Sequence, residues 1–76
     1  MELLDIGNGN LVNASKIVAV LGASSAPARR IVKSASANNK LIDASSGKKT
    51  ESVIITDSDH VILSPLLPEQ LSSAMK

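Results

Sequence analysis

Apolar positions fall in short runs, and their spacing changes along the chain. Residues 3–6 (LLDI) form a brief apolar run that stops at Gly7-Asn8-Gly9-Asn10, a turn-forming tetrapeptide, and so predict a strand. Residues 11–21 read LVNASKIVAVL. Their second part, residues 16–21, is rich in Ile and Val and predicts a second strand that Gly22 ends. The period then lengthens. Ala28, Ile31, Val32 and Ala35 follow the i, i+3, i+4, i+7 spacing of one buried helical face. Ser24 or Ser25 can cap this helix, Pro27 suits its first turn, and Asn38 and Asn39 can terminate it. Residues 41–44 predict a short strand and SSGKKT a loop, and residues 52–56 and 61–64 predict a hairpin turned through DSDH. Pro65 and Pro68 bracket a break, after which Pro68-Glu69-Gln70 opens a short helix through Met75, with Glu69 at its positive end. The expected fold is α+β: a small, mostly antiparallel sheet domain with one central helix and a short C-terminal helix.

The hairpin carries a second message. Val53, Ile54 and Ile55 are consecutive apolar residues, as are Val61, Ile62 and Leu63, whereas a solvated antiparallel strand alternates. Both faces of this hairpin therefore need cover. The central helix can supply one face; the second helix or another subunit has to supply the other.

Composition narrows the picture. With 76 residues the chain makes one domain, 1–76, of a size at which a single core seldom contributes more than a few kcal/mol. It has no cysteine, so no disulfide can staple it, and with one histidine a structural zinc site is not expected. Association with further copies is the remaining staple. No residue is Phe, Trp or Tyr, so the core must be aliphatic, and a binder that stacks bases on aromatic rings is excluded. No apolar run approaches the length of a membrane span, and MELLDIG has an acid where a signal peptide would be basic; a cytoplasmic protein is expected.

The net charge of +1 conceals a segregation. Lys16, Arg29, Arg30, Lys33, Lys40, Lys48 and Lys49 are opposed within their segment only by Asp43, giving +6, while the rest of the chain carries −5. A basic region set against an acidic remainder is the footprint of a nucleic-acid binder. Arg29 and Lys33 are four apart and share an exposed helical face, with Arg30 beside it. Lys48 and Lys49 sit in a glycine-containing loop among Ser45, Ser46 and Thr50, groups that suit backbone phosphates. Lys16, at the entrance of an apolar strand, is a candidate third contact to the same polyanion.

Other motifs fail on counting. A nucleotide-binding P-loop needs a glycine five residues before Gly47 and a Ser or Thr after Lys48; the residues there are Ile42 and Lys49. In a dinucleotide fingerprint starting at Gly7 and Gly9 the third glycine would fall at Val12. Asp57, Asp59 and His60 could suggest a metal or acid–base site, but Asp57, Ser58 and Asp59 are what a hairpin turn asks for, no third ligand is near in sequence, and no base is paired with a nucleophile. Neither an enzyme nor a cofactor is expected, nor a small-molecule substrate.

The stretches IGNGNLVNASKIVAV, SAPARRIV and KLIDASSGKKTESVIITDSDHVILS, with the PE before the last helix, resemble the RemA family of small bacterial regulators of extracellular-matrix genes. The similarity runs from Ile6 to Glu69 almost without gaps. It implies a DNA-binding transcriptional activator of biofilm-matrix operons and a ring-shaped homo-oligomer of α+β subunits that touches DNA with many copies. Members of the family carry arginine where this chain has Lys16, Lys48 and Lys49, and those positions are associated with DNA binding. Lysine keeps the charge without the planar fork, which suits phosphate contact rather than base reading or a narrow minor groove. Arg29 and Arg30 keep their guanidinium groups, for DNA or for a neighbouring subunit. Two other readings of the basic face are an oligomeric protein-interaction scaffold and a module that binds structured RNA.

Overall fold

Alternation of buried and exposed side chains begins at Leu3. In the computed structural model, which describes residues 2–75, β1 (Leu3–Gly7) buries Leu4 and Ile6 and turns Leu3 and Asp5 outward. It pairs antiparallel with β2 (Asn10–Asn13) through a two-residue turn at Asn8-Gly9, both with positive φ (57° and 78°), the geometry an Asn-Gly pair favours. Gly7 also has a left-handed φ of 103°, and a Cβ there would lie 2.9 Å from Pro65 Cγ. Only glycine fits this approach of β1 to the segment after the last strand.

The strand expected over residues 16–21 is present, shifted by one residue, and a turn that the sequence did not announce precedes it. Asn13 Oδ1 accepts from the Ser15 N–H (3.1 Å) and the Ser15 hydroxyl (2.8 Å), and Ala14–Lys16 form a 3₁₀ turn. β3 (Ile17–Gly22) follows, and residues 10–13 form a strand of their own. Gly22 is the last residue of β3 rather than the residue after it.

α1 (Ala26–Ala37) starts as predicted. Ser25 is its N-cap, the Ser25 hydroxyl accepts from the Ala28 N–H, and Pro27 sits in the first turn. Asn38 closes it, and Asn39 turns the chain with φ 58°. β4 (Leu41–Asp43), β5 (Ser52–Thr56) and β6 (Val61–Ser64) follow, then α2 (Pro68–Ala74), where the Gln70 side chain accepts from the Leu67 N–H at 2.7 Å.

Two sheets result: the β1–β2 hairpin and a four-stranded sheet in the order β3-β5-β6-β4. Its pairs are antiparallel except β4 with β6, which is parallel. β3 and β4, on opposite edges, therefore point the same way, and α1 is the crossover between them.

The sheet separates two cores. On one face Val53 and Val61 meet Ala28 and Ala35 of α1. On the other, Ile54 and Ile62 meet Leu4 and Ile6 of β1 and Leu71 of α2. Ile54 and Leu71 are fully buried; each contributes about 1.5–3 kcal/mol relative to an exposed side chain. The unalternated hairpin is thus covered on both faces within one chain. The second helix, joined by β1, covers the face for which another subunit was the alternative, so the hairpin pattern gives no argument for self-association.

Four polar side chains are buried, Ser52, Thr56 and Ser64 at strand ends and Ser45 in the loop after β4, and each has a hydrogen-bond partner. The Ser64 hydroxyl donates to the Ile6 carbonyl (2.7 Å) and accepts from the Leu66 N–H (3.1 Å), tying β6 to β1 and to the approach to α2.

Candidate nucleic-acid interface

The loop that carries Lys48 and Lys49 is built from its base upward. Asp43, the last residue of β4, accepts from the Ser45 N–H (2.9 Å) and the Ser45 hydroxyl (2.6 Å). These two bonds stabilise the ionised form and hold the Asp43 carboxyl below its ordinary range. From the β1–β2 turn, the Asn8 side-chain amide donates to the Ala44 and Ser45 carbonyls, both at 3.1 Å. Ala44 and Ser45 are buried by this arrangement.

The chain then reverses. Ser46 and Gly47 both have positive φ (53° and 80°), and the Lys48 N–H donates to the Ser45 carbonyl at 3.0 Å, the pattern of a type I′ turn. The two lysines leave this turn directly, and both are exposed. Past them the backbone is fixed again, because the Glu51 N–H donates to the Ser64 carbonyl and the Ala23 N–H to the Glu51 carbonyl. The loop is therefore short, closed and anchored at both ends.

α1 supplies a second group of cations. Ala28 and Ala35 face the sheet, which leaves Arg29 and Lys33 on one flank and Arg30 on the outward side. Arg29, Lys33 and Thr50 line the same cavity, so this flank lies beside the end of the basic loop. The structure thus brings Arg29 and Lys33 to the end of the sheet that carries Lys48 and Lys49.

Lys16 lies elsewhere. Its carbonyl accepts from the Asp57 N–H at the far end of β5, so the length of that five-residue strand, about 17 Å, separates it from the loop within one chain. Its ammonium lies 3.7 Å from Asp57 Oδ2, the only ion pair among the described residues. Both side chains are more than half exposed, a setting in which such pairs contribute little. Arg29, Arg30, Lys33, Lys48 and Lys49 have no carboxylate within ion-pair distance among the described residues.

The DSDH segment is a turn. The Asp59 N–H donates to the Thr56 carbonyl, the Thr56 N–H to the His60 carbonyl, and Ser58 Oγ lies 2.8 Å from His60 Nδ1. No helix of the described residues is long and apolar enough to cross a membrane.

Two residues that hold the basic loop were given no part in it from the sequence: Asn8 and Asp43. Asn-Gly and Asp-x-Ser are local turn signals and could have been found. The reach of Asn8 to a loop 36 positions away could not.

This architecture has relatives. The family described as RemA-like, extracellular matrix regulatory protein A-like, matches residues 3–75. A protein of Brevibacillus brevis, named as a regulatory protein, is 47% identical over 99% of this chain and 87% of its own length. Proteins so named in Oceanobacillus iheyensis (51%, covering 91% of this chain and 80% of their own) and Heliobacterium modesticaldum (51%, 95% and 79%) are similar. With the match spanning both sheets, both helices and the basic loop, the chain belongs to the RemA-like family.

Proposed function

We propose that this protein is a cytoplasmic DNA-binding regulator, an activator of extracellular-matrix genes, that works as a ring-shaped homo-oligomer. The observation that carries the reading is the Lys48-Lys49 pair, which emerges from a turn pinned by Asn8 and Asp43 and has no counter-ion among the described residues. The turn backbone is held before binding, so only the lysine side chains have to be ordered on meeting a phosphate, and leaving them unneutralised favours an external polyanion. Arg29 and Lys33 extend the same end of the sheet, with Arg30 on the outward side of α1. The family description supplies the gene class.

In this mechanism the contacts are to backbone phosphates, for which a lysine point charge suffices. One subunit holds duplex weakly at physiological salt, since each neutralised phosphate contributes only about −0.9 to the slope of log affinity against log salt. Repetition around a ring makes later contacts intramolecular and raises avidity by roughly 10² to 10⁴. Lys16, at the other end of β5, then meets a phosphate distinct from those at the loop.

The test is gel retardation of duplex DNA alongside light scattering. Lys48→Ala with Lys49→Ala should abolish retardation and leave the mass of the assembly unchanged. Retardation equal to wild type would refute the role of the loop. Equal-length duplex RNA, added as competitor, should displace the protein less well than DNA; better displacement by RNA would replace this reading with RNA binding.

A further inference from the structure

The cavity that Arg29, Lys33 and Thr50 rim has a floor of quite different chemistry. Ala23, Val32, Val53 and Leu63 form it, all aliphatic, and this open groove has a volume of about 400 Å³. That size falls within the range of small-molecule sites, which pair an apolar lining with a few converging polar groups. We propose that this cavity binds an aliphatic carboxylate, a saturated chain lying on the floor with its anion at the rim.

Three observations select that class. Arg29 and Lys33 lie about one turn apart on one flank of α1 with no carboxylate partner among the described residues, so the rim is cationic. A guanidinium fork fits a carboxylate with two parallel hydrogen bonds, and the Thr50 hydroxyl can donate a third. The floor has no aromatic side chain, and the whole chain has none, so a nucleobase would find no ring to stack on, while a methylene chain finds matching surface. A second cavity, on the other flank of α1, lacks this selection, because its rim carries both Lys40 and Asp59.

A regulatory consequence rests on the DNA reading above. Arg29 and Lys33 belong to the proposed phosphate surface, so an occupied cavity removes two cations from it and should reduce the salt slope of DNA binding by about 1.8.

The test uses the purified 76-residue chain without DNA. Hexanoate, octanoate, decanoate and decanol are titrated by calorimetry at pH 7.5. Affinity should rise about fourfold per added methylene. Decanoate should bind at least tenfold more tightly than decanol, and Arg29→Ala with Lys33→Ala should remove that preference. Val32→Phe, which fills the floor, should abolish binding, whereas Lys48→Ala with Lys49→Ala should leave it intact. Affinity independent of chain length, or decanol equal to decanoate, would overturn the proposal whether or not Val32→Phe folds. So would decanoate that binds only by lowering the mass of the assembly, since a neighbouring copy would then be the natural occupant. Failure of the protein to bind DNA would refute the proposed function and leave this binding test standing.

Discussion

Asn8 offers a direct test of whether the basic loop is held from outside itself. Its side-chain amide makes two hydrogen bonds, to the Ala44 and Ser45 carbonyls, both partly buried. Its backbone has φ 57°, which glycine adopts freely and alanine does not. Asn8→Gly therefore removes the two bonds alone, and Asn8→Ala removes them and adds backbone strain. At roughly 1 kcal/mol for each net hydrogen bond, Asn8→Gly should cost about 2 kcal/mol. For a domain this small that lowers the Tm by roughly 8–16 °C. Asn8→Ala should cost about 1 kcal/mol more. Urea unfolding at one fixed protein concentration measures both, which keeps any effect of self-association constant. Hydrogen exchange at the Lys48 amide, bonded to the Ser45 carbonyl, reports the loop itself and should quicken in both variants. If Asn8→Gly unfolds with the wild-type midpoint and the Lys48 amide keeps its protection, the loop is not anchored by Asn8 and the reasoning fails.

Three further outcomes follow from the same geometry. The hydrogen bonds from Ser45 depress the Asp43 carboxyl, so its stabilisation of the loop is present above the ordinary carboxylate value of 3.8 and is lost as pH falls through its lowered value; Asp43→Asn should flatten that acid limb in a pH series of Lys48 amide exchange. Gly7→Ala should cost about 1–3 kcal/mol in urea unfolding, since φ 103° is strained for alanine and the new methyl meets the ring of Pro65. Ser64→Ala should cost about 2–4 kcal/mol by the same assay, because the Ile6 carbonyl and the Leu66 N–H both lose their partner.

Much of the fold could be read from residues close in sequence. The cap at Ser25, the proline in the first turn and the spacing of Ala28, Ile31, Val32 and Ala35 locate α1 because helices are local structures. The hairpin at residues 52–64 was equally plain, since its turn is made by the residues between its strands. The strand at residues 10–13 was not expected, because residues 11–21 contain no glycine or proline and the break at Ala14–Lys16 depends on one Asn13 side chain. The pairing of β4 with β6 is parallel and reached through a crossover, so no local signal announces it. Cover for the hairpin was legible as a requirement, whereas its source, β1 with α2, was not.

The basic end shows the same division. Charge counting brought out Arg29, Arg30, Lys33, Lys48 and Lys49, and the structure sets Arg29 and Lys33 beside the loop because α1 lays one flank along it. Lys16 has the same charge and was grouped with them, yet the antiparallel register of β3 and β5 sends it to the opposite end of β5. Sequence distance gave no hint of that separation. It leaves the chain with a cation at one end of β5 and a basic cluster at the other, which under the proposed function would meet phosphates at two places along a duplex.

The slope of log affinity against log salt for duplex binding tests multivalent phosphate contact most directly. The six candidate cations of one subunit, if each neutralised one phosphate, would give a slope of about −5.4 at most. A ring that repeats the contacts should give a clearly steeper slope, and Lys48→Ala with Lys49→Ala should leave binding only at low salt, with a much shallower slope. A wild-type slope no steeper than that of one subunit, or one unchanged in the double variant, would contradict the account.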